Sequence, residues 1–267
     1  MCNLTHKRLD HPALQFTGHL LRYKPSEDEE QEHHHAAEVR RRLGRLAQAV
    51  GWHELYLRSF WNGVLIEFIG SAVFCWMHVA IILGGIHYDY PNLTIGIFHG
   101  IMVAMFIYQF AAVSGAHFNA LVSAATFLTG HTLFCRAVLY VLAQMLGFFV
   151  GAVCFMATIP SPLFVELRAG SCYQGAATSG QAVAIEFFAS IMLLFVSYGT
   201  ALNARQAQIF GPVLAPIFIG SIVALNVFSV GGIFPPPFAP GFNPSQCFGT
   251  AAALATQIGS DAWHNHW

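Results

Sequence analysis

SGAHFNAL, residues 114–121, closes one long apolar run and opens a shorter one. APGFNPSQ, residues 239–246, stands in the corresponding place of the second half. Each stretch puts an Asn, with its amide donors and acceptor, where lipid-compatible sequence has little use for polar groups. Two such breaks in matching positions call for one shared reason.

Composition sets the setting. The chain has 267 residues, 55% of them hydrophobic and only 9% charged, against about 25% charged in ordinary soluble domains. This balance is that of a membrane protein. The formal net charge of −1 gives no footprint for nucleic acid. The six cysteines, Cys2, Cys75, Cys135, Cys154, Cys172 and Cys247, form no CxxC pair and no metal spacing, so buried thiols are expected. There is no nucleophile elbow, phosphate loop or metal-ligand set. Neither an enzyme nor a cofactor is expected.

Residues 1–58 form a separate cytoplasmic extension that holds every Lys and Arg except Arg136, Arg168 and Arg205. Its first 35 residues are expected to be disordered. AAEVRRRLGRLAQAVGWHELYLR (36–58) sets Val39, Leu43, Leu46 and Val50 on one helical face beside arginines, which predicts an amphipathic helix on the membrane surface. His33, His34, His35, His264 and His266 are metal-like in composition, but a solvated tail is the plainer reading.

Residues 59–267 carry five apolar runs of spanning length, 62–84, 95–113, 134–158, 181–202 and 210–231, each near the roughly 20 residues a span needs. Two shorter pieces, 119–128 and 243–256, predict re-entrant or interfacial segments. With the amino terminus in the cytoplasm, only Arg168 breaks the positive-inside rule. In that orientation the sequon at Asn92 hugs the membrane and the one at Asn3 is cytoplasmic, so glycosylation is expected at neither.

The halves repeat. GVLIEFIGSAVF (63–74) carries Glu67 and AVAIEFFASIML (182–193) carries Glu186; from each Glu the chain runs through two spans to an Asn-centred break. Three spans separate the two starts, so the second copy is inverted. Inverted repeats place their working site near the midplane, where broken helices meet. A half-helix starting there has amide donors that lipid cannot satisfy, and Asn is a good cap for them. Asn119 and Asn243 therefore cap two half-helices from opposite sides, with spare amide hydrogens aimed at a pore. Pro244 fits the first helical position. Two positive helix ends then face each other and repel cations.

On these residues the chain resembles the aquaporin family of major intrinsic proteins. The likeness lies in FWNGVLIEF (60–68), SGAHFNALVS (114–123), YVLAQMLG (140–147), SGQAVAIEF (179–187) and GFNPSQCFG (241–249). It implies an all-α membrane fold, an inverted repeat of spans with two re-entrant half-helices, assembled as a homotetramer in the lipid bilayer, plasma or internal. The family's two Asn-Pro-Ala boxes correspond to Asn119-Ala120-Leu121 and Asn243-Pro244-Ser245. Its outer constriction corresponds to His99, Val227, Pro240 and Gln246. Glu67 and Glu186 are implied to bond the re-entrant backbone, a proton relay being the alternative. His117 is implied to hold the first loop rather than a metal, and Gln144 to bond a neighbouring loop.

The departures are specific. The first box has Ala120 where Pro is usual, and Ala preserves the helix but fixes its start less firmly. Gln246 stands where the family usually has Arg, which implies weaker exclusion of protons and cations, and Val227 implies a wider filter. Cys247 is similar to the pore-facing Cys of mercury-sensitive members. DAWHNHW (261–267) resembles the start of a sixth span; the chain is expected either to be a piece of a longer protein or to lack that wall. The implied function is a passive channel for water and small uncharged solutes such as ammonia, urea, hydrogen peroxide and glycerol. A non-conducting scaffold or regulatory subunit is the alternative.

Overall fold

A computed structural model describes residues 27–42, 44–234, 239–264 and 266. Helix α1 spans Glu27–Arg42 and α2 spans Arg45–Val50, followed by a 3-10 turn at Trp52–Tyr56. The extension thus departs from expectation. Its residues 27–35 are helical, and 36–58 is three short pieces rather than one amphipathic helix. The break falls beside Gly44 and Gly51, the latter left-handed with φ 87°, a conformation that Gly adopts freely. Leu43 lies outside the described residues, as do Asn3 and Cys2. The extension is tied to the body: Ala36 packs with Leu57 and Phe60 in a small buried cluster.

Among the described residues, five helices are long and apolar enough to cross a membrane: α3 at Arg58–His87, α4 at Asn92–Ser114, α6 at Phe134–Met156, α8 with its π-helical end at Ser179–Leu202, and α9 at Ala204–Gly231. Two half-helices accompany them: α5 at Ala120–Leu128 lies between α4 and α6 in sequence, and α10 at Pro244–Ile258 follows α9. A short helix, α7, spans Ser161–Glu166. The fifth run starts earlier than its apolar stretch because α9 includes a polar first turn before a kink at Gly211, where φ is 61° and Pro212 follows. Pro removes a donor and clashes with the preceding turn, so the kink is placed by sequence.

The helices approach closely through glycine. A Cβ at Gly100 of α4 would lie 2.6 Å from the Gly220 carbonyl of α9, and one at Gly96 would lie 2.7 Å from the Ala224 carbonyl. Gly147 and Gly151 of α6 sit as tightly on the Phe68 and Ala72 carbonyls of α3. Small residues are what let helices meet in lipid, where no hydrophobic force pulls them together. One core cluster gathers Cys75, Phe148, Phe155 and Leu254; a second gathers Ile107, Leu193, Ile219 and Val223. The outward faces stay apolar, with Ile101, Leu142, Phe188 and Phe195 all exposed. Lipid, not water, suits that surface.

Arg136, in the first turn of α6, is buried in an ion pair. Its guanidinium donates to Glu54 Oε1 at 2.9 Å, to Tyr140 Oη at 3.2 Å, and lies 5.0 Å over the Phe60 ring. Removing one partner of such a pair typically costs about 3–5 kcal/mol, because the other charge stays buried. The pair fastens the Trp52–Tyr56 turn to the start of α6.

The cysteines also differ from the sequence expectation. Cys172 and Cys247 form a disulfide, Cys75 and Cys135 are buried thiols, and Cys154 is an exposed one. The bond joins the connection before α8 to the second half-helix across a sequence separation of 75. Closing a loop of that length is worth about 4 kcal/mol in the chain-entropy account.

Candidate functional site

Each Asn-bearing loop reaches its Asn through a left-handed Phe. Phe118 has φ 43° and Phe242 φ 36°, a conformation costing on the order of 1–3 kcal/mol for a non-glycine residue. What holds each turn is a glutamate on a neighbouring helix. Glu67 Oε1 accepts from His117 N at 3.0 Å and from Ser114 Oγ at 2.6 Å, while Oε2 accepts from Phe118 N at 2.7 Å and Gln144 Nε2 at 2.8 Å. Glu186 accepts from Gly241 N and Phe242 N, both at 2.6 Å. The two halves thus use the same device, with the first half more heavily bonded.

Asn119 and Asn243 then start the half-helices. Asn119 Oδ1 accepts from Leu121 N at 2.8 Å, and Asn243 Oδ1 accepts from Gln246 N at a longer 3.4 Å. Ala120 takes the first position of α5 and Pro244 that of α10. The side-chain amides cross between loops: Asn119 Nδ2 donates to Phe242 O at 3.0 Å and Asn243 Nδ2 to Phe118 O at 2.8 Å. Each amide nitrogen therefore gives one hydrogen to the opposite loop and keeps one. Gln144 ties the half-helices together, donating to Ser123 Oγ at 3.0 Å and accepting from Ser245 Oγ at 3.3 Å. His117 Nδ1 lies 3.1 Å from Ser123 Oγ, which places this ring in the loop's own scaffold. Leu121 is half-buried on the first turn of α5.

Both Asn side chains line a cavity of about 620 Å³ that also has His99, Val227, Pro240 and Gln246 on its wall. Much of the remaining lining is apolar, from Phe74, Val103, Ile107, Leu193 and Ile219 among others. The polar side chains on this wall include Asn119, Asn243, His99 and Gln246. Among the described residues no three His, Cys, Asp or Glu side chains are grouped to hold a metal.

The sequence reading missed His78 and the Cys172–Cys247 bond. His78 lies on the cavity wall with His99 and Gln246, and its Nδ1 is 2.8 Å from His99 Nε2. A signal was present: His78 follows Glu67 by three helical turns at 3.6 residues per turn, so both face one way, and a polar side chain inside a span has a function by default. Cys247, read as similar to a pore-facing thiol, is paired instead, and His266 is bridged by backbone to Tyr173, next to Cys172 in sequence.

Comparison with known proteins bears on the family and the fold. The Major intrinsic protein family model matches residues 54–267. Probable aquaporin PIP2-8 of Arabidopsis thaliana is 29% identical over 223 residues, covering 80% of this chain and 77% of the relative. Probable aquaporin PIP2-1 of Oryza sativa subsp. japonica is 29% identical over 231 residues, covering 80% and 76%. In structure, the aquaglyceroporin from Plasmodium falciparum superposes with a TM-score of 0.65 at 20% identity, over 77% of this chain and 85% of that one.

Proposed function

Because the chain belongs to the major intrinsic protein family, a family of membrane channels rather than enzymes, we propose that it passes water and small uncharged solutes between Asn119 and Asn243. The observation that supports this most is the crossed pair of Asn amides at the waist of the cavity. Each spare amide hydrogen offers a single donor to a solute's oxygen or nitrogen. The starts of α5 and α10 meet there, and their positive ends disfavour cations. Water keeps its hydrogen bonds in single file, and no chemical step is needed.

In this reading His99, Val227, Pro240 and Gln246 form the outer constriction, and Val227 with a neutral Gln246 leaves it wider and less charged than an Arg-bearing filter. That favours ammonia, urea, hydrogen peroxide or glycerol beside water. Glu67, Glu186, His117 and Gln144 hold the loops. The amino-terminal extension lies in the cytoplasm and the assembly is a tetramer, as the placement of Lys and Arg and the family resemblance suggest. The plant aquaporin relatives favour a plasma-membrane setting.

The experiment is to plug the wall. Val227→Trp projects a large ring toward the cavity, and osmotic shrinkage of proteoliposomes should fall to the rate of protein-free vesicles while the helical content in detergent is kept. Water flow unchanged by Val227→Trp would place the pathway elsewhere.

A further inference from the structure

The outer constriction holds a hydrogen-bonded chain that begins on a backbone carbonyl. His99 Nδ1 lies 2.8 Å from Ile95 O, His99 Nε2 lies 2.8 Å from His78 Nδ1, and His78 Nε2 lies 2.9 Å from Gln246 Nε2. A carbonyl oxygen can only accept, so His99 carries its proton on Nδ1 and its Nε2 is a lone pair. His78 must then carry its proton on Nδ1, which leaves Nε2 as an acceptor. The Gln246 amide nitrogen fills that place as donor. One carbonyl therefore sets the sense of the whole chain. Both imidazoles are nearly buried, His78 at 8% and His99 at 5% exposure, so water is poorly placed to compete. Gly170 O, 3.2 Å from His78 Nε2, is the longer contact and faces a lone pair in this arrangement.

The consequence falls on Gln246. Its nitrogen is held by His78, whereas its Oε1 has no partner among the described residues and is not among the buried unpartnered atoms. Gln246 lines the cavity, so the oxygen is the end left for a solute. We propose that His78 is the positioning residue of the outer constriction: by accepting from Gln246 Nε2 it turns Gln246 Oε1 into the cavity, and so selects neutral solutes rich in N–H donors, with urea as the test case. The proposal deepens, and rests on, the reading of the chain as a solute channel. An amide free to turn would offer donor and acceptor equally, and a donor at that place repels the amino groups that an acceptor binds.

The test compares urea and water permeability of proteoliposomes carrying the full chain, as wild type, His78→Phe, His78→Gln and Gln246→Met. His78→Phe fills the space but cannot accept. His78→Gln can accept from Gln246 through its oxygen and donate to His99 through its nitrogen. The expected urea-to-water permeability ratio falls roughly three- to tenfold in His78→Phe, the range for losing one positioned hydrogen bond, and returns toward wild type in His78→Gln. Gln246→Met should show the same fall, and it decides the matter if His78→Phe does not conduct water. A ratio unmoved in His78→Phe or Gln246→Met with water flow intact overturns the proposal, as does His78→Gln behaving like His78→Phe, or a wild type that passes water but no urea. A wild type that passes neither overturns the channel reading itself.

Discussion

Asn119 and Asn243 are braced against each other's loops: each donates a side-chain amide hydrogen to the carbonyl of the Phe that precedes the other, at 3.0 and 2.8 Å. The cavity wall at the Asn pair is therefore one hydrogen-bonded unit built from both halves of the repeat. A change at either Asn is felt by both half-helices.

Asn243→Asp tests that unit. An aspartate oxygen replaces the donor facing Phe118 O, so a bond becomes a repulsion and a negative charge enters the waist. Leaving a buried carbonyl unpaired costs about 1–3 kcal/mol. The expected result is a sharp fall in osmotic water permeability together with a measurable cation leak, followed by stopped-flow scattering and a potential-sensitive dye.

The two glutamates are unequal. Glu67 accepts from four donors and Glu186 from two. A Gln at either place must set its own NH2 against one of those donors. Glu67→Gln should therefore lower the thermal unfolding temperature in detergent more than Glu186→Gln, with a loss on the order of 2–4 kcal/mol for the former. Equal shifts would show that the side chains flanking Glu67 carry no weight.

Helix contact through glycine gives a third expectation. Gly220→Val sets a branched side chain against the backbone of α4 at Gly100, where only a shift of the helix gives room. Overpacking of this kind costs about 1–3 kcal/mol or more. Gly180→Ala, with nothing within 4 Å of the added carbon, should leave folding yield unchanged, and the pair is compared by size-exclusion profile after membrane extraction.

The disulfide changes what thiol reagents reach. With Cys247 bonded to Cys172, mercurials have no Cys247 thiol to attack. Cys172→Ser frees it beside Gln246, and water flow should then become mercury-sensitive and recover with reductant. Block of the unsubstituted protein that persists after Cys154→Ser would point to a free Cys247.

Much of the fold was legible in the sequence because lipid enforces it. Backbone groups must be paired inside each span, so five long apolar runs had to be helices, while the two short ones read as re-entrant or interfacial until the repeat and its Asn caps pointed to half-helices. The repeated Glu and Asn exposed the inversion. The kink at Gly211 was less legible because a polar first turn of α9 lies outside the apolar run. The broken helix between 36 and 58 was not, because Gly44 and Gly51 outweigh a regular apolar stripe. The cavity-lining positions His99, Val227, Pro240 and Gln246 came from alignment to the boxes. His78 and the Cys172–Cys247 bond did not, since each joins segments distant in sequence and neither belongs to a motif. The Arg136–Glu54 ion pair was not legible because its partners lie far apart in sequence and belong to no motif.

The central claim is that water crosses between Asn119 and Asn243, and osmotic shrinkage of proteoliposomes timed by stopped-flow light scattering over a range of temperatures tests it most directly. The account predicts shrinkage severalfold faster than in protein-free vesicles, with an activation energy close to that of water diffusing in bulk. Shrinkage at the protein-free rate, with the steep temperature dependence of lipid permeation, would contradict it.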